Sequence, residues 1–274
     1  MGRTKGIRIK DLRVTPGRKV RLDRVDPGDT GGFRDRDDAE ALLKKDLARL
    51  AVLQERLYAE NARALLVVFQ AMDTGGKDGA IRHVFTGVNP AGCQVTRFQV
   101  PSAEEADHDF LWRIHRAVPP LGNIGIFNRS HYEDVLVVRV HNLVPPSVWR
   151  ARFDQINRFE RHLSETGTRI LKFYLHISKS EQKRRLQDRL DDPDKRWKFS
   201  KTDLQERKRW ADYQKAYEDA LTKCSTPWAP WHIVPADHKW YRNLAVARTL
   251  VAALEEMDPR PPKISLDLSQ LHLR

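Results

Sequence analysis

The fold is decided by Ala64–Gly79, which reads ALLVVFQAMDTGGKDG. Its first six residues form an unbroken apolar run, which is typical of a parallel strand that is buried on both faces. A glycine turn follows at Gly75 and Gly76, and the pattern from Lys77 predicts a helix over 77–86. A strand, a glycine loop and a helix in this order form the setting in which many proteins bind phosphate.

This loop matches the phosphate-binding pattern G-x-x-x-x-G-K-[ST] only in part. Ala71 stands at the first glycine, and Asp78 replaces the Ser or Thr whose hydroxyl usually meets Mg²⁺. Asp73 is a hard oxygen ligand that could hold the metal instead. Glycine backbone N–H groups and a lysine suit phosphate oxygens, so we predict phosphate contacts at Gly75, Gly76, Lys77, Asp78 and Gly79. The alternative is a glycine-rich turn that binds no ligand.

Apolar runs alternate with helical patterns over the rest of the chain. The later strands are predicted at 94–100, 124–127, 170–177 and 232–235. The helices between them are predicted at 103–117, 130–140, 146–165, 179–223 in two segments, and 240–256. This alternation predicts an α/β fold in three layers, with a central parallel sheet and helices on both faces.

The chain divides into three parts by composition. Residues 1–36 form a basic N-terminal arm, 37–258 a catalytic domain, and 259–274 a C-terminal tail. Leucines at three- and four-residue steps predict a helix at the start of the domain, with Asp37 or Asp38 as its cap.

The formal net charge is +12, from 49 Lys and Arg against 37 Asp and Glu. Such an excess indicates an acidic partner, although a basic surface that only aids solubility is an alternative. No apolar run approaches the roughly 20 residues of a membrane span, and the start lacks the apolar stretch of a signal peptide. Cys93 and Cys224 form no disulfide framework or zinc pattern, so we expect a cytoplasmic protein that binds no membrane.

A second polar segment follows the strand predicted at 124–127. In open α/β sheets, ligands bind beyond the carboxyl ends of the strands. Asn128 and Ser130 could donate hydrogen bonds to a phosphate or a ribose, and Arg129 could hold phosphate oxygens through two nitrogens. Glu133 and Asp134 could reach a metal or a nucleotide. The alternative for Arg129 and Asp134 is an ordinary ion pair at a helix start.

The basic stretch from Lys179 to Lys201 contains nine Lys or Arg and five acids. Such a run is usually a solvated helix with ion pairs. Its position after the fourth strand instead favours a lid over about 179–223, whose basic side chains would neutralise phosphate charge and exclude water. Trp197 could stack on an adenine or anchor the lid.

Five motifs together resemble the polyphosphate kinase 2 family: QAMDTGGKDG at 70–79, GVNP at 87–90, HDFLWR at 108–113, FNRSHYEDVLVV at 127–138, and RWKF at 196–199. The resemblance covers about residues 20–255. It implies a P-loop kinase-like fold with a helical lid and reversible phosphoryl transfer between inorganic polyphosphate and nucleotides with Mg²⁺. Glu133 is typical of the subgroup that resembles class III enzymes, which accept both AMP and ADP.

The resemblance also implies roles for single residues. Asp73 and Asp134 would place Mg²⁺, or Mn²⁺ in its place, and the acceptor; Lys77, Arg129, Arg185 and Arg189 would hold phosphates. The catalytic residues would be Asp73, Lys77, Arg129 and Asp134, and the nucleotide would contact Asn128, Ser130, Glu133 and Trp197. Adenine nucleotides are the expected partners, with guanine nucleotides as an alternative, and relatives form dimers or tetramers.

Two other functions remain open from the residues. An ATP-dependent nucleoside monophosphate kinase of similar fold is the first, but the imperfect phosphate loop and the basic balance count against it. A nucleic-acid-binding module is the second, but no recognition helix or RNA-binding aromatic motif supports it. We therefore expect no nucleic-acid partner.

Overall fold

Five parallel strands form the centre of the molecule, which a computed structural model describes over residues 7–263. The strands are β1 (Ala64–Ala71), β2 (Cys93–Arg97), β3 (Ile124–Asn128), β4 (Thr168–His176) and β5 (Trp231–Pro235). Their order across the sheet is β2-β3-β1-β4-β5. All eight residues of β1 are buried. The apolar run therefore forms the central strand of a parallel sheet, as the sequence predicted.

Eleven α-helices lie within the described part of the chain. They are α1 (Ile9–Leu12), α2 (Arg36–Glu60), α3 (Lys77–Val84), α4 (Ala103–Asp107), α5 (Trp112–Arg116), α6 (Val137–Val140), α7 (Pro146–Glu165), α8 (Lys179–Asp191), α9 (Lys201–Lys208), α10 (Trp210–Lys223) and α11 (Lys239–Met257). Short 3₁₀ helices occur at Leu22–Arg24, Pro90–Gly92, His131–Asp134 and Pro193–Lys198. Within residues 7–263, no helix has the length and apolar character needed to cross a membrane.

The helices form two groups around the sheet. Helix α11 packs against α2 and α3, whereas α7 packs against β4 and α6, and α6 contacts α10. Because the central strand is buried on both faces, the two groups form the outer layers of the fold. The predicted three-layer α/β/α arrangement is confirmed.

Several predicted helix boundaries differ from the structure. The helix predicted at 103–117 is broken between α4 and α5, where the Asp109 carboxylate accepts a hydrogen bond from the Leu111 N–H at 2.9 Å. The cap of α2 is Asp35, whose side chain accepts from the Asp38 N–H, so the prediction of Asp37 or Asp38 was wrong. The segment 130–140 contains a 3₁₀ turn and the single turn of α6 instead of one helix.

The described part of the basic arm lies against the sheet and α10. Arg13 forms an antiparallel bridge with His232 of β5, and the Val14 N–H donates to the Trp231 carbonyl at 2.8 Å. Farther along, the Leu22 N–H donates to Glu218 at 2.8 Å, and the Leu22 side chain is 2% exposed. The arm therefore covers the edge of β5 and contributes apolar residues to the core. The predicted tail beyond residue 263 lies outside the described residues.

We expect Leu22→Ala to lower the free energy of unfolding by about 2–4 kcal/mol, because it leaves a cavity in the core. Urea denaturation measures the change. Leu143→Ala is the matched control, since Leu143 is 64% exposed and its truncation should change stability by less than about 0.5 kcal/mol. Equal effects of the two variants would show that the arm does not pack as described.

Candidate active site

The loop between β1 and α3 has the backbone of a phosphate-binding turn. Gly76 caps α3 with φ of +95°, a conformation that glycine adopts without strain. At Gly75, an added Cβ would lie 2.7 Å from the Met72 carbonyl oxygen, so the tight turn requires glycine there as well. Lys77 is the first residue of α3, and its Nζ donates to the Ala71 carbonyl at 3.2 Å. The predicted loop, with its lysine at the helix start, is present.

The segment after β3 meets this loop directly. Asn128 is the last residue of β3 and lies opposite Phe69 of β1 in the parallel register. Its side-chain amide donates to the Asp78 carboxylate at 2.6 Å. The buried Gln70 amide donates to the Ser130 hydroxyl at 3.2 Å. The two polar segments are thus joined side by side at the carboxyl edge of the sheet.

Arg129 forms the third contact between the segments. Its guanidinium donates to the Asp73 carboxylate at 3.2 Å and lies 3.7 Å from the Glu133 carboxylate. Its backbone has a φ of +65°, which is uncommon outside glycine and indicates a conformation imposed by the surroundings. Its N–H donates to the Phe69 carbonyl at 3.1 Å. These contacts direct the guanidinium across the glycine loop.

Lys77 and Arg129 share one electrostatic environment. Burial and, as a smaller effect, the Arg129 charge lower the pKa of Lys77. Nearby carboxylates act in the opposite direction: Asp73, Glu133 and Asp78. Two cations that oppose each other's charge in a partly buried pocket favour a bound anion.

The two predicted metal ligands have different surroundings. The Asp73 side chain is 29% exposed and meets only Arg129 among the described ion pairs. Asp134 is 13% exposed, accepts a hydrogen bond from Arg152 at 3.1 Å, and lies 3.9 Å from Arg113. Burial raises the pKa of Asp134, although both arginines act to lower it. Asp134 is therefore the more buried of the two and is held by two arginines, whereas Asp73 is more exposed and is held by one.

Residues 7–263 contain no group of three or more His, Cys, Asp or Glu side chains placed to hold a metal ion. This is compatible with Mg²⁺, which proteins often bind through one or two carboxylates plus substrate phosphates and waters. Asp73 fits that mode because its carboxylate is partly exposed beside the glycine loop. The metal role of Asp134 stays a prediction.

The basic segment lies directly on the glycine loop. From α8, Gln182 donates to the Asp73 carbonyl at 2.9 Å, and Arg185 donates to the Thr74 carbonyl at 3.1 Å. Arg185 is 6% exposed and pairs with Glu181 at 2.7 Å. The sequence predicted basic residues over the loop. Arg185 of α8 lies there, and its guanidinium donates to a backbone carbonyl of the loop.

The two other predicted lid residues lie farther along the segment. Arg189 donates to the Lys198 carbonyl at 3.1 Å and lies 3.5 Å from Asp203 of α9. Trp197 is 78% exposed, with the Lys198 ammonium 5.0 Å from its ring centre. An exposed aromatic ring suits stacking on a ligand more than anchoring the lid.

Three residues near the loop were not identified from the sequence. Tyr217 of α10 donates to the Ala71 carbonyl at 3.0 Å, the same oxygen that Lys77 contacts. Arg242 of α11 is 2% exposed and lies against Gly76. Burial raises the pKa of Asp203 of α9, and the nearby Asp73 charge raises it further by a smaller amount. Their helices carry no spacing signal that points to the loop, so only the tertiary structure reveals them.

A buried polar network anchors the polar segment that follows β3. The Lys172 ammonium of β4 donates to Glu160 of α7 at 2.5 Å, to the Tyr132 hydroxyl at 2.7 Å and to the Cys224 carbonyl at 2.7 Å. His131 lies 3.1 Å from the other Glu160 oxygen. Burial alone would raise the pKa of Glu160, but Lys172 and His131 outweigh it and lower the pKa. The network fixes the turn that carries Arg129.

The parallel sheet, the glycine loop and the basic helix across it define a P-loop kinase-like protein. The family profile described as "Polyphosphate kinase 2 (PPK2)" matches residues 33–262. The chain belongs to the polyphosphate kinase 2 family.

Relatives match nearly the whole chain. It is 53% identical to the AMP/ADP-polyphosphate phosphotransferase of Meiothermus ruber over 257 residues. The alignment covers 93% of this chain and 96% of that protein. It is 45% identical over 273 residues to the ADP-polyphosphate phosphotransferase of Rhodopseudomonas palustris, with 94% and 93% covered. The crystal structure of polyphosphate kinase 2 from Arthrobacter aurescens TC1 has a TM-score of 0.92 and 46% identity, covering 97% of both chains.

We expect Lys172→Met to lower the free energy of unfolding by about 3–5 kcal/mol, because it leaves the Glu160 carboxylate buried without its ammonium partner. The double variant Lys172→Met with Glu160→Leu should recover much of this loss, since it removes both charges. Chemical denaturation of both variants measures the coupling. The coupling between Lys172 and Glu160 would be contradicted if the double variant had a lower free energy of unfolding than Lys172→Met, as expected when two independent side chains are truncated.

Proposed function

We propose that the protein transfers a phosphoryl group reversibly between inorganic polyphosphate and nucleotides, making ADP from AMP and ATP from ADP. The observation that carries the proposal is the joint between the two loops, which directs Lys77 and Arg129 toward one space beside Asp73. The relative from Meiothermus ruber is named for both AMP and ADP, which favours both acceptors here.

The phosphate chain would lie along the positively charged side of the loop. The Gly75 N–H donates to the Met72 carbonyl and holds the turn, so the backbone N–H groups at 76–79 would donate to the phosphate oxygens. Lys77 and Arg129 would bind the phosphate that is transferred. The basic residues Arg185 and Arg189 of α8 would hold neighbouring phosphates. Because a long polyphosphate carries roughly one negative charge per phosphate, its binding should weaken as salt screens these charges.

In the transfer step, an oxygen of the nucleotide's terminal phosphate forms a bond to the end phosphorus of polyphosphate. The bond from that phosphorus to the rest of the chain breaks, and the shortened chain leaves with the electron pair. The attacking oxygen is already anionic near neutral pH, so no strong general base is needed. Lys77 and Arg129 stabilise the charge on the transferred group, and Asp73 orients the acceptor. A divalent cation held at Asp73, with Asp134 as the second predicted ligand, would neutralise part of the phosphate charge.

The nucleotide would bind beside the polar segment that follows β3. Glu133 is partly exposed beside Arg129, and Trp197 offers an open ring for an adenine. The side chains of Asn128 and Ser130 are 6% and 0% exposed and already join the two loops. Their contact with the nucleotide stays a prediction. The same polar atoms would have to contact the nucleotide in addition to Asp78 and Gln70.

Four wider features are proposed as well. The protein would work in the cytoplasm, where polyphosphate and adenine nucleotides meet, with Mg²⁺ or Mn²⁺ as its metal. It would act as a homo-oligomer of two or four chains. The division into arm, catalytic domain and tail is proposed as predicted.

We expect Lys77→Ala to lower kcat/KM for polyphosphate by about 10²–10³-fold, because it removes a preorganised cation from the transferred phosphate. Initial rates of ADP formation from AMP, polyphosphate and Mg²⁺ measure the change. Lys44→Ala on the exposed face of α2 is the matched control and should retain the wild-type rate. Near-normal transfer by folded Lys77→Ala would reject the role of this loop.

Replacing polyphosphate with ATP as donor, with AMP as acceptor, separates the proposal from the ATP-dependent alternative. We expect the wild type to form ADP from AMP with polyphosphate, and the rate should fall as ionic strength rises because the charges are screened. Transfer from ATP to AMP without any transfer from polyphosphate would instead establish a nucleoside monophosphate kinase.

Chelation with EDTA should abolish transfer, and Mg²⁺ or Mn²⁺ should restore it. Asp73→Asn should need at least about tenfold more Mg²⁺ for half-maximal rate, because an amide binds the cation less strongly than a carboxylate. Mg²⁺ titration of the rate measures both effects. Asp134→Asn provides the comparison: an unchanged Mg²⁺ requirement would limit Asp134 to holding its two arginines. An unchanged requirement in Asp73→Asn would contradict the proposed metal position.

A further inference from the structure

Helix α11 places a buried arginine directly behind the glycine loop. Arg242 is 2% exposed, and a Cβ added at Gly76 would overlap its Nη1. A Cβ added at Gly79 would lie 3.4 Å from its Nη2. The guanidinium therefore contacts the loop backbone at two glycines, and only a residue without a side chain leaves room for it at Gly76.

The charge of Arg242 has no acidic counterpart. Its Nε and Nη2 donate to the Asn243 side-chain oxygen at 3.1 and 2.8 Å, and no carboxylate within residues 7–263 forms an ion pair with it. A second guanidinium, that of Arg185, lies 3.3 Å from the same Gly76 Cβ position. Burial and Arg185 lower the pKa of Arg242 to about 9, so the group still carries its charge near neutral pH.

A buried cation without a counterion is unfavourable unless an anion comes close. Arg185 differs in this respect, since Glu181 pairs with it at 2.7 Å. The cost of burying Arg242 would be recovered by a phosphate bound at the glycine loop in front of it. The loop is also kept in its tight shape, because the guanidinium fills the space behind Gly76.

We propose that Arg242 is a positioning residue for the polyphosphate donor: it supports the loop at Gly76 and supplies an unpaired positive charge that favours a bound phosphate chain. This inference rests on the proposed function, and it concerns the donor and not the nucleotide. Arg242 acts through the loop, while Lys77 and Arg129 meet the phosphates themselves. Loss of the charge should therefore weaken donor binding more than it slows the transfer step.

The test compares Arg242→Met with Arg158→Met, which removes one positive charge from an exposed position of α7, where Arg158 pairs with Asp154. We expect Arg242→Met to raise the KM for polyphosphate on the order of tenfold. Its kcat and its KM for AMP should stay within about twofold of the wild type. Arg158→Met should leave all three values near the wild type.

A second readout does not depend on turnover. Polyphosphate alone should raise the Tm of the wild type and of Arg158→Met, and this rise should be much smaller for Arg242→Met. Arg242→Lys keeps the positive charge but lacks the planar guanidinium group, so it should give intermediate values in both measurements. If Arg242→Met does not fold, Arg242→Lys carries the test, with a KM for polyphosphate raised about threefold as the supporting result.

A folded variant with a lower Tm but an unchanged KM and an unchanged polyphosphate-induced shift would show that Arg242 only packs against the loop, and would overturn the inference alone. A wild type that polyphosphate neither stabilises nor serves as donor would overturn the proposed function and this inference with it.

Discussion

The parallel pairing of β1 with β3 is the constraint on which the site depends. It places Phe69 opposite Asn128, so both strands end at one edge of the sheet and their following loops must meet. The hydrogen bond from Asn128 to Asp78 and the ion pair of Arg129 with Asp73 then fix the loops to each other. Neither loop alone has the charge arrangement that phosphate requires.

Positive charge around this joint is supplied from several layers of the fold. Lys77 and Arg129 come from the loops, Arg185 from α8 and Arg242 from α11. Burial lowers the pKa of Lys77 and of Arg242. Carboxylates pair with Arg129 and Arg185, whereas Arg242 forms no ion pair within residues 7–263. In the proposed function, the polyphosphate donor supplies the missing negative charge.

Local patterns in the sequence were enough for the sheet and the two loops, because a continuous apolar run and a glycine turn act through neighbouring residues. They failed where distant elements decide. The contacts of Arg113 and Arg152 with the Asp134 carboxylate come from other helices and had no signal in the sequence, while the metal role of Asp134 stays a prediction. Arg242 gave no signal, since only the packing of α11 behind Gly76 reveals it. The cap of α2 was misplaced by two or three residues, which is the usual error when several aspartates are adjacent.

In the proposed function, the turn at Gly76 and the segment beginning at Asn128 form one anion site. A crystal structure with a short polyphosphate and Mg²⁺ tests it most directly. We expect phosphate oxygens within hydrogen-bonding distance of the loop N–H groups, with Lys77 and Arg129 on the same phosphate. Polyphosphate bound elsewhere, with the two segments separated and without ligand, would contradict the account.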